Sequence, residues 1–370
     1  MFSELDISPI IDLLKNKDIS GWFKSHEGGE KLREFEKRFA QFCGGKHGFA
    51  VSSGSVSIYL ALRACNIGRG DVVAVPPYTH IGSVAPIMLA GAKPLFIDVD
   101  KYGNIDPEQL RKTLSLKLAK GKVKAVIVVH QLGLPCEMDA IKEVSDDAFI
   151  IEDASHALGA EYKGVKAGVL GDIGCFSIGG GRTKTIGTGE GGMVITNSGE
   201  MAMKLKNLRN HGDRNTDCDY LCFNFRMSEL QAAIGLAQMD KLQFWIDWQI
   251  KNAEYIIANL PEYLEVPVPP NYVKHVHYII GCRYLDTMLH ISRDALMKKI
   301  IEGGFEGGVP RRNIGIGYSK LISDIRIYTS YRRKCPISQK LQDESIWIDW
   351  HRYPRTIDEI DDLLAFLKRI

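Results

Sequence analysis

The sequence predicts an α/β protein built on a large, mainly parallel sheet, with a smaller α/β domain toward the C-terminus. Three observations carry this. Between residues 49 and 200, strand-like apolar runs alternate with helix-like segments, the pattern of a sheet with helical crossovers. Those runs are nearly continuous in apolar residues, as in "VKAVIVVH", so both faces of the sheet are expected to be covered. At 370 residues the chain also exceeds the roughly 250 to 300 at which single cores stop growing, so two domains are expected.

Taken in order, "ISPIIDLLKN" and "KLREFEKRFAQFC" read as short helices around the turn-like "SHEGGE". In the second, Leu32, Phe35, Phe39 and Phe42 recur every three to four residues, the period of a buried helix face. "GFAVSSGS" leads into "SIYLALRAC", "DVVAVPP" into "IGSVAPIMLAG", and "PLFIDVD" into "DPEQLRKTLSLKL". "VKAVIVVH" then precedes "MDAIKEVSDD", and "AFIIEDASH" follows. The segment 201–260 reads as largely helical, and "MSELQAAIGLAQMDKLQFW" as one long helix leading from one domain toward the other. After the proline-rich break "PEYLEVPVPP" come a strand, "HYIIGCRYL", a mixed α/β region, and the amphipathic helix "IDEIDDLLAFLKRI".

Composition excludes several function classes. The formal net charge is +2, from 47 Lys+Arg against 45 Asp+Glu, with no basic stripe interleaved with aromatics, so nucleic acid is not the expected partner. The eight cysteines are scattered, with Cys218 and Cys222 the one close pair, which forms neither a disulfide framework nor a metal knuckle; no metal site is expected. No apolar run reaches 18 residues and no leader is evident, so the expectation is a cytoplasmic protein with no membrane partner.

Chemistry-bearing residues gather at the carboxyl ends of the predicted strands, where α/β sheets bind ligands. "AFIIED" ends in Glu152 and Asp153, which strand alternation sends to opposite faces; at a strand end both can also simply be solvated. Ser52, Ser53, Gly54 and Ser55 precede a helix, where backbone N–H groups and hydroxyls can hold a phosphate, although an ordinary serine N-cap is the simpler reading. In "CFSIGGGRTKTIGTGEGGMVIT" Lys184 stands between two glycine clusters. A lysine beside a phosphate cradle and a buried carboxylate suits imine formation with an aldehyde cofactor, the aspartate keeping a pyridine nitrogen protonated.

These motifs together resemble the DegT/DnrJ/EryC1/StrS family of pyridoxal-phosphate-dependent sugar aminotransferases. The likeness runs through "GGKHGFAVSSGSVSIYLALRA", "DVVAVPPYTHIGSVAPIMLAGAKPLFIDVD", "IIEDASHALGAEYKGVKAGVLGDIGCFS", "TGEGGMVIT", "LRNHGDR" and "FNFRMSELQAAIGLAQ", about residues 30 to 245. It implies fold type I, the aspartate-aminotransferase architecture, and pyridoxal 5′-phosphate as cofactor. Lys184 matches the lysine that binds the cofactor and moves the proton, and Asp153 the partner of the pyridine nitrogen. His156, where many members carry glutamine, matches the contact to the phenolic oxygen, and His80, where relatives often carry an aromatic, the residue stacked on the ring. Gly54, Ser55 and Ser177 match phosphate binders. Asn224 and Arg226 match a segment that reaches the neighbouring subunit's site, which implies a homodimer with shared active sites.

Three departures from the family pattern bear on the site. Six residues, "IGGGRT", separate Ser177 from Lys184 where four are usual; the glycines make a bulge sterically easy, and Arg182 within it is a candidate for an anionic substrate. His275 in "KHVHYII" fits a family histidine near the sugar, but "GGFEGGVPRRNIGIGYSK" replaces the expected "HYP"-like stretch, and its Arg311 and Arg312 either contact a diphosphate or cap a solvated loop. "HEGGE" in the entrance segment is more acidic than usual. The resulting expectation is an N-terminal segment (1–14), a cofactor domain (15–245) and a small domain (246–370), catalysing amino transfer from glutamate to a keto sugar on a nucleotide, in nucleotide-sugar and polysaccharide biosynthesis. A dehydratase or cyclitol aminotransferase of the same fold, or a catalytically silent scaffold, are the alternatives; retention of Lys184 favours transamination.

Overall fold

The structure, a computed structural model, describes residues 7–17, 19–20, 28–115, 123–180, 184–212, 223–303, 335–348 and 357–370. The chain opens with helices α1 (Ser8–Lys15) and α2 (Glu30–Cys43) and then alternates. Strand β1 (His47–Val51) leads to α3 (Gly54–Ala64), β2 (Val72–Val75) to α4 (Ile81–Leu89), and β3 (Lys93–Phe96) to α5 (Pro107–Leu114). β4 (Val123–Val129) leads to α6 (Met138–Ser145) and β5 (Phe149–Asp153). The short β6 (Glu161–Tyr162) and β7 (Val165–Lys166) precede β8 (Ile173–Ser177) and β9 (Gly192–Thr196), and α7 (Gly199–Arg209) follows.

These strands form a seven-stranded sheet of order β1-β9-β8-β5-β4-β2-β3. β3, β2, β4, β5 and β8 are mutually parallel, and β9 runs against both β8 and β1. The sheet is covered on both faces, as the continuous apolar runs require. Ile150, Val126 and Phe176 join Phe35 and Phe39 of α2 in one core layer, while their strand neighbours Ile151, Ile127 and Cys175 join Ile58 and Leu62 of α3 in the other. The predicted stripe on α2 is thus core, with Phe39 edge-on to Phe176 at 5.2 Å between ring centroids.

The long helix expected from "MSELQAAIGLAQMDKLQFW" is two helices, α8 (Glu229–Met239) and α9 (Leu242–Asn259), parted at Asp240 and Lys241. α8 starts in a capping box: the Ser228 hydroxyl accepts from the Gln231 N–H, and the Gln231 side chain accepts from the Ser228 N–H. Beyond α9, β10 (Leu264–Glu265), β11 (Val273–Lys274) and β12 (Ile280–Tyr284) lead to α10 (Asp286–Leu289) and α11 (Arg293–Glu302). α12 (Pro336–Glu344), β13 (Ser345–Ile348) and α13 (Ile357–Arg369) end the described chain. β10-β12-β13 form a smaller antiparallel sheet, and β11 pairs with β6. A third core unites Ala253 and Ile256 of α9, Leu296 and Ile300 of α11, and Ile360, Leu364 and Leu367 of α13, so the terminal amphipathic helix packs as its periodicity predicts.

Asp98, just past β3, ties the two parts together. Its carboxylate accepts from the N–H groups of Ile337 and Ser338 and from the Ser338 hydroxyl, all at 2.9 Å, and so caps the first turn of α12 from across the molecule. Among the described residues no helix is long and apolar enough to cross a membrane.

Candidate active site

Alternation at the end of β5 sets the site's foundation. Glu152 and Asp153 are both buried, so neither is a solvated strand end. Glu152 accepts from the N–H groups of Gly168 (2.7 Å) and Gly171 (2.6 Å) and from His130 Nε2 (2.9 Å). His130 Nδ1 accepts from the Cys136 N–H, which puts the imidazole proton on Nε2 and makes it the donor to Glu152. Glu152 is therefore fully engaged in structure. Asp153 faces the other way, with Oδ2 accepting from the Ser83 hydroxyl at 2.6 Å and Oδ1 from the Ser155 N–H at 3.1 Å.

Lys184 sits on the loop between β8 and β9, which is closed on itself by backbone bonds from Ile178 N to Gly191 O, Thr188 N to Ile178 O, and Gly180 N to Gly189 O. Its Nζ donates to the Ser155 carbonyl at 2.8 Å and lies 4.6 Å from the centroid of the Tyr278 ring. That ring stacks in turn on His156, at 4.2 Å and 14°. Burial of the amine pushes the Lys184 pKa down to about 8, with the Asp153 charge opposing. Ser155, His156, Ser177, Lys184 and Tyr278 bound one small cavity.

The N-terminus of α3 completes this side. Ser53 is an ordinary N-cap, accepting from the Val56 N–H, while Ser55 is exposed on the first turn. A Cβ added to Gly54 would lie 2.6 Å from the Ser177 Cβ, so only glycine lets the helix end approach β8 this closely. His80 caps α4 through Nδ1, which accepts from the Gly82 N–H at 3.0 Å, and a Cβ at Gly82 would fall between the Ser55 hydroxyl and the His80 ring. Desolvation lowers the His80 pKa; Asp153 opposes and Lys184 adds to the shift. Gly54, Ser55, His80, Asp153, His156, Ser177 and Lys184, far apart in sequence, thus share one strand-end region.

The remaining candidates lie elsewhere. Asn224 is exposed on a segment beside β1, where its Oδ1 accepts from the Arg226 N–H and the Arg226 guanidinium donates to Asn210 at 2.7 Å. His275 stacks on His277 at 3.8 Å in a cleft of about 700 Å3 between the strand ends and the smaller sheet, a cleft also lined by Tyr78, Gln131 and Trp347. Burial drives both imidazole pKa values down, His277 to about 4. Arg182, Arg311 and Arg312 fall outside the described residues.

Several side chains that support the site escaped the sequence reading. Gln238 of α8 grips Gly187 in the lysine loop from both sides, its Nε2 donating to the carbonyl (2.9 Å) and its Oε1 accepting from the N–H (3.0 Å). Gln249 of α9 accepts from the Thr185 hydroxyl and donates to the Val276 carbonyl. Thr79, Ser83 and Tyr278 belong with them. The available signal was a lone polar residue within an apolar helical run, as Gln238 is in "AAIGLAQM" and Ser83 in "IGSVAPIML".

The residues present fit pyridoxal phosphate: the glycine-lined helix end for the phosphate, Asp153 for the ring nitrogen and a half-buried amine of depressed basicity for the aldehyde. Comparison with known proteins agrees. A GDP-perosamine synthase of Caulobacter vibrioides is 36% identical over 291 residues, 75% of each chain. A UDP-N-acetyl-3-dehydro-alpha-D-glucosamine 3-aminotransferase of Acidithiobacillus ferrooxidans is 36% identical over 256 residues, 68% of each. Among solved structures, an aminotransferase from Psychrobacter cryohalolentis superposes with a TM-score of 0.86 at 28% identity, covering 97% of this chain and 94% of that one. The sequence pattern of the DegT/DnrJ/EryC1/StrS aminotransferase family matches residues 8–362, and the chain belongs to that family, pyridoxal-phosphate-dependent aminotransferases of fold type I that act on sugars.

Proposed function

We propose that the protein moves an amino group from glutamate to a keto sugar carried on a nucleoside diphosphate. The observation that carries this reading is that the half-buried Lys184 amine, pKa about 8, on the β8–β9 loop and the buried Asp153 carboxylate at the end of β5 meet through Ser155, whose carbonyl accepts from the amine and whose N–H donates to Asp153. The bound cofactor supplies an electron sink for the substrate carbon. Asp153 would hold the ring nitrogen's proton, Gly54, Ser55 and Ser177 would hold the phosphate, His80 would cover a ring face and His156 would meet the phenolic oxygen. Lys184 would hold the cofactor's aldehyde and move the proton at the reacting carbon through its amine, and a depressed pKa suits an amine that works as a base near neutrality. In balance, keto sugar and glutamate give amino sugar and 2-oxoglutarate. The nucleotide-linked acceptor is supported by the relatives' names, which carry GDP and UDP. The roomy cleft behind His275 and His277 supports a large acceptor, because the same short segment presents Tyr278 to Lys184.

The acting unit is a homodimer. Asn224 stands between Phe223, 61% exposed, and Phe225, and these two rings continue to Tyr59 midway along α3. Such a face suits a second copy of the chain, to whose phosphate Asn224 would reach, with Arg226 toward its substrate. The cofactor domain is taken as 15–245 and the small domain as 246–370, with α9 continuous across the boundary. The six described cysteines are free, which suits a cytoplasmic enzyme.

The test is incubation of purified protein with pyridoxal phosphate, glutamate and a panel of GDP-, UDP- and dTDP-linked keto sugars, with products weighed by mass spectrometry. Conversion of ketone to amine with equimolar 2-oxoglutarate supports the reading. Loss of the elements of water with no nitrogen gained would replace it with dehydration.

A further inference from the structure

Asp153 can serve a ring nitrogen only if its carboxylate plane is held, and one of its two oxygens is held by hydroxyls at the start of α4, from Ser83 on the helix and Thr79 just before it. Ser83 is 1% exposed and Thr79 4%, so water does not compete for either hydroxyl. Thr79 Oγ1 and Ser83 Oγ are 2.8 Å apart, and Ser83 Oγ is 2.6 Å from Asp153 Oδ2. The direction of this chain follows by elimination. An ionised carboxylate only accepts, so the single Ser83 proton goes to Asp153, and the Thr79–Ser83 bond must be made with the Thr79 proton.

We infer that Thr79 and Ser83 form a directed hydroxyl relay that positions Asp153 against the cofactor's ring nitrogen, an inference that rests on the function proposed above. Serine alone has three staggered rotamers, and the bond from Thr79 selects the one aimed at Oδ2. With Oδ1 held by the Ser155 N–H, both carboxylate oxygens are fixed from separate elements, α4 and the turn after β5. The same helix carries His80 at its N-cap, and the Ser83 N–H bonds the His80 carbonyl, so ring-stacking and ring-nitrogen contacts share one rigid unit. The titratable groups around Asp153 are Lys184 and His80 on the open side and Cys175 on the neighbouring strand; Glu152 and His130 pair with each other on the opposite face. Neither hydroxyl touches the reacting atoms, so both are positioning residues.

The test compares wild type, Thr79→Val, Ser83→Ala and the double variant, each loaded with pyridoxal phosphate, by the pH midpoint of the cofactor's visible band and by the rate of cofactor loss on dilution. A ring nitrogen whose anionic partner is no longer held in line would carry less positive charge, so the proton nearest Lys184 would be held more tightly and the midpoint would rise. Each single variant is expected to raise it by about half to one pH unit. The double variant should match Ser83→Ala alone, because Thr79 acts only through Ser83. Thr79→Ser, which keeps the hydroxyl, should match wild type; should Ser83→Ala fail to fold, Thr79→Val against Thr79→Ser decides the matter. An unmoved midpoint, or additive shifts in the double variant, overturns the relay while leaving the proposed function intact. A wild-type protein that takes up no cofactor overturns both.

Discussion

The amine of Lys184 lies 2.8 Å from the carbonyl oxygen of Ser155, the second residue after Asp153. The β8–β9 loop thereby brings the half-buried Lys184 onto the turn that follows β5, and the carbonyl holds the amine without neutralising it. A carboxylate partner at this point would have fixed the lysine in its charged form; a carbonyl leaves it able to give up its proton.

Cofactor capture is accordingly pH-dependent. With the Lys184 pKa at about 8, the bimolecular rate of pyridoxal phosphate uptake should climb about tenfold per pH unit below 8 and level off above it. Stability has the matching sign. The folded-state pKa is below the unfolded value, so between about 8 and 10.5 the unfolded chain binds the extra proton, and apo-protein stability gains from this group as pH rises through that window. Stopped-flow absorbance against pH measures the first effect, and Lys184→Ala should abolish both.

Gly54→Ala should separate cofactor affinity from fold. The new Cβ meets the Ser177 side chain at 2.6 Å and pushes the first turn of α3 off β8. We expect about 1–3 kcal/mol of destabilisation, typical of overpacking, together with at least about tenfold weaker cofactor binding, read by equilibrium dialysis.

Glu152→Ala should injure the fold rather than the chemistry directly. It orphans the buried Gly168 N–H and His130 donor and the half-buried Gly171 N–H, and the loss should reach about 3 kcal/mol or more in urea unfolding.

Gln238→Leu removes both bonds to Gly187 while keeping the bulk of the side chain. Leaving one buried donor and one acceptor unmet should cost about 2–4 kcal/mol and slow turnover by loosening the lysine loop. Hydrogen exchange at residues 184–191 should rise, with the sheet unaffected.

The sheet and the face of α2 were legible because their signals are local: continuous apolar runs for two-sided burial, a three-to-four spacing for a helix face. The opposed roles of Glu152 and Asp153 followed from strand alternation, but their partners could not, since His130 and Ser83 come from different elements. Gly54 was legible as a helix-start glycine, but not its partner, since it meets Ser177 across 123 positions of sequence. The split between α8 and α9 was missed because the apolar spacing continues across Asp240 and Lys241. Tyr278, Gln238 and Gln249 were illegible for a plainer reason. A tyrosine or glutamine in an apolar stretch signals that some partner exists, and only tertiary structure identifies it as the lysine loop.

The most direct measurement is the absorbance spectrum of purified protein with pyridoxal phosphate, before and after excess glutamate, beside Lys184→Ala. The account predicts a visible cofactor band that glutamate converts to the shorter-wavelength amine form, with no such band or no response in the variant. A wild-type protein that forms no band would contradict it, and a band that ignores glutamate would remove glutamate as donor.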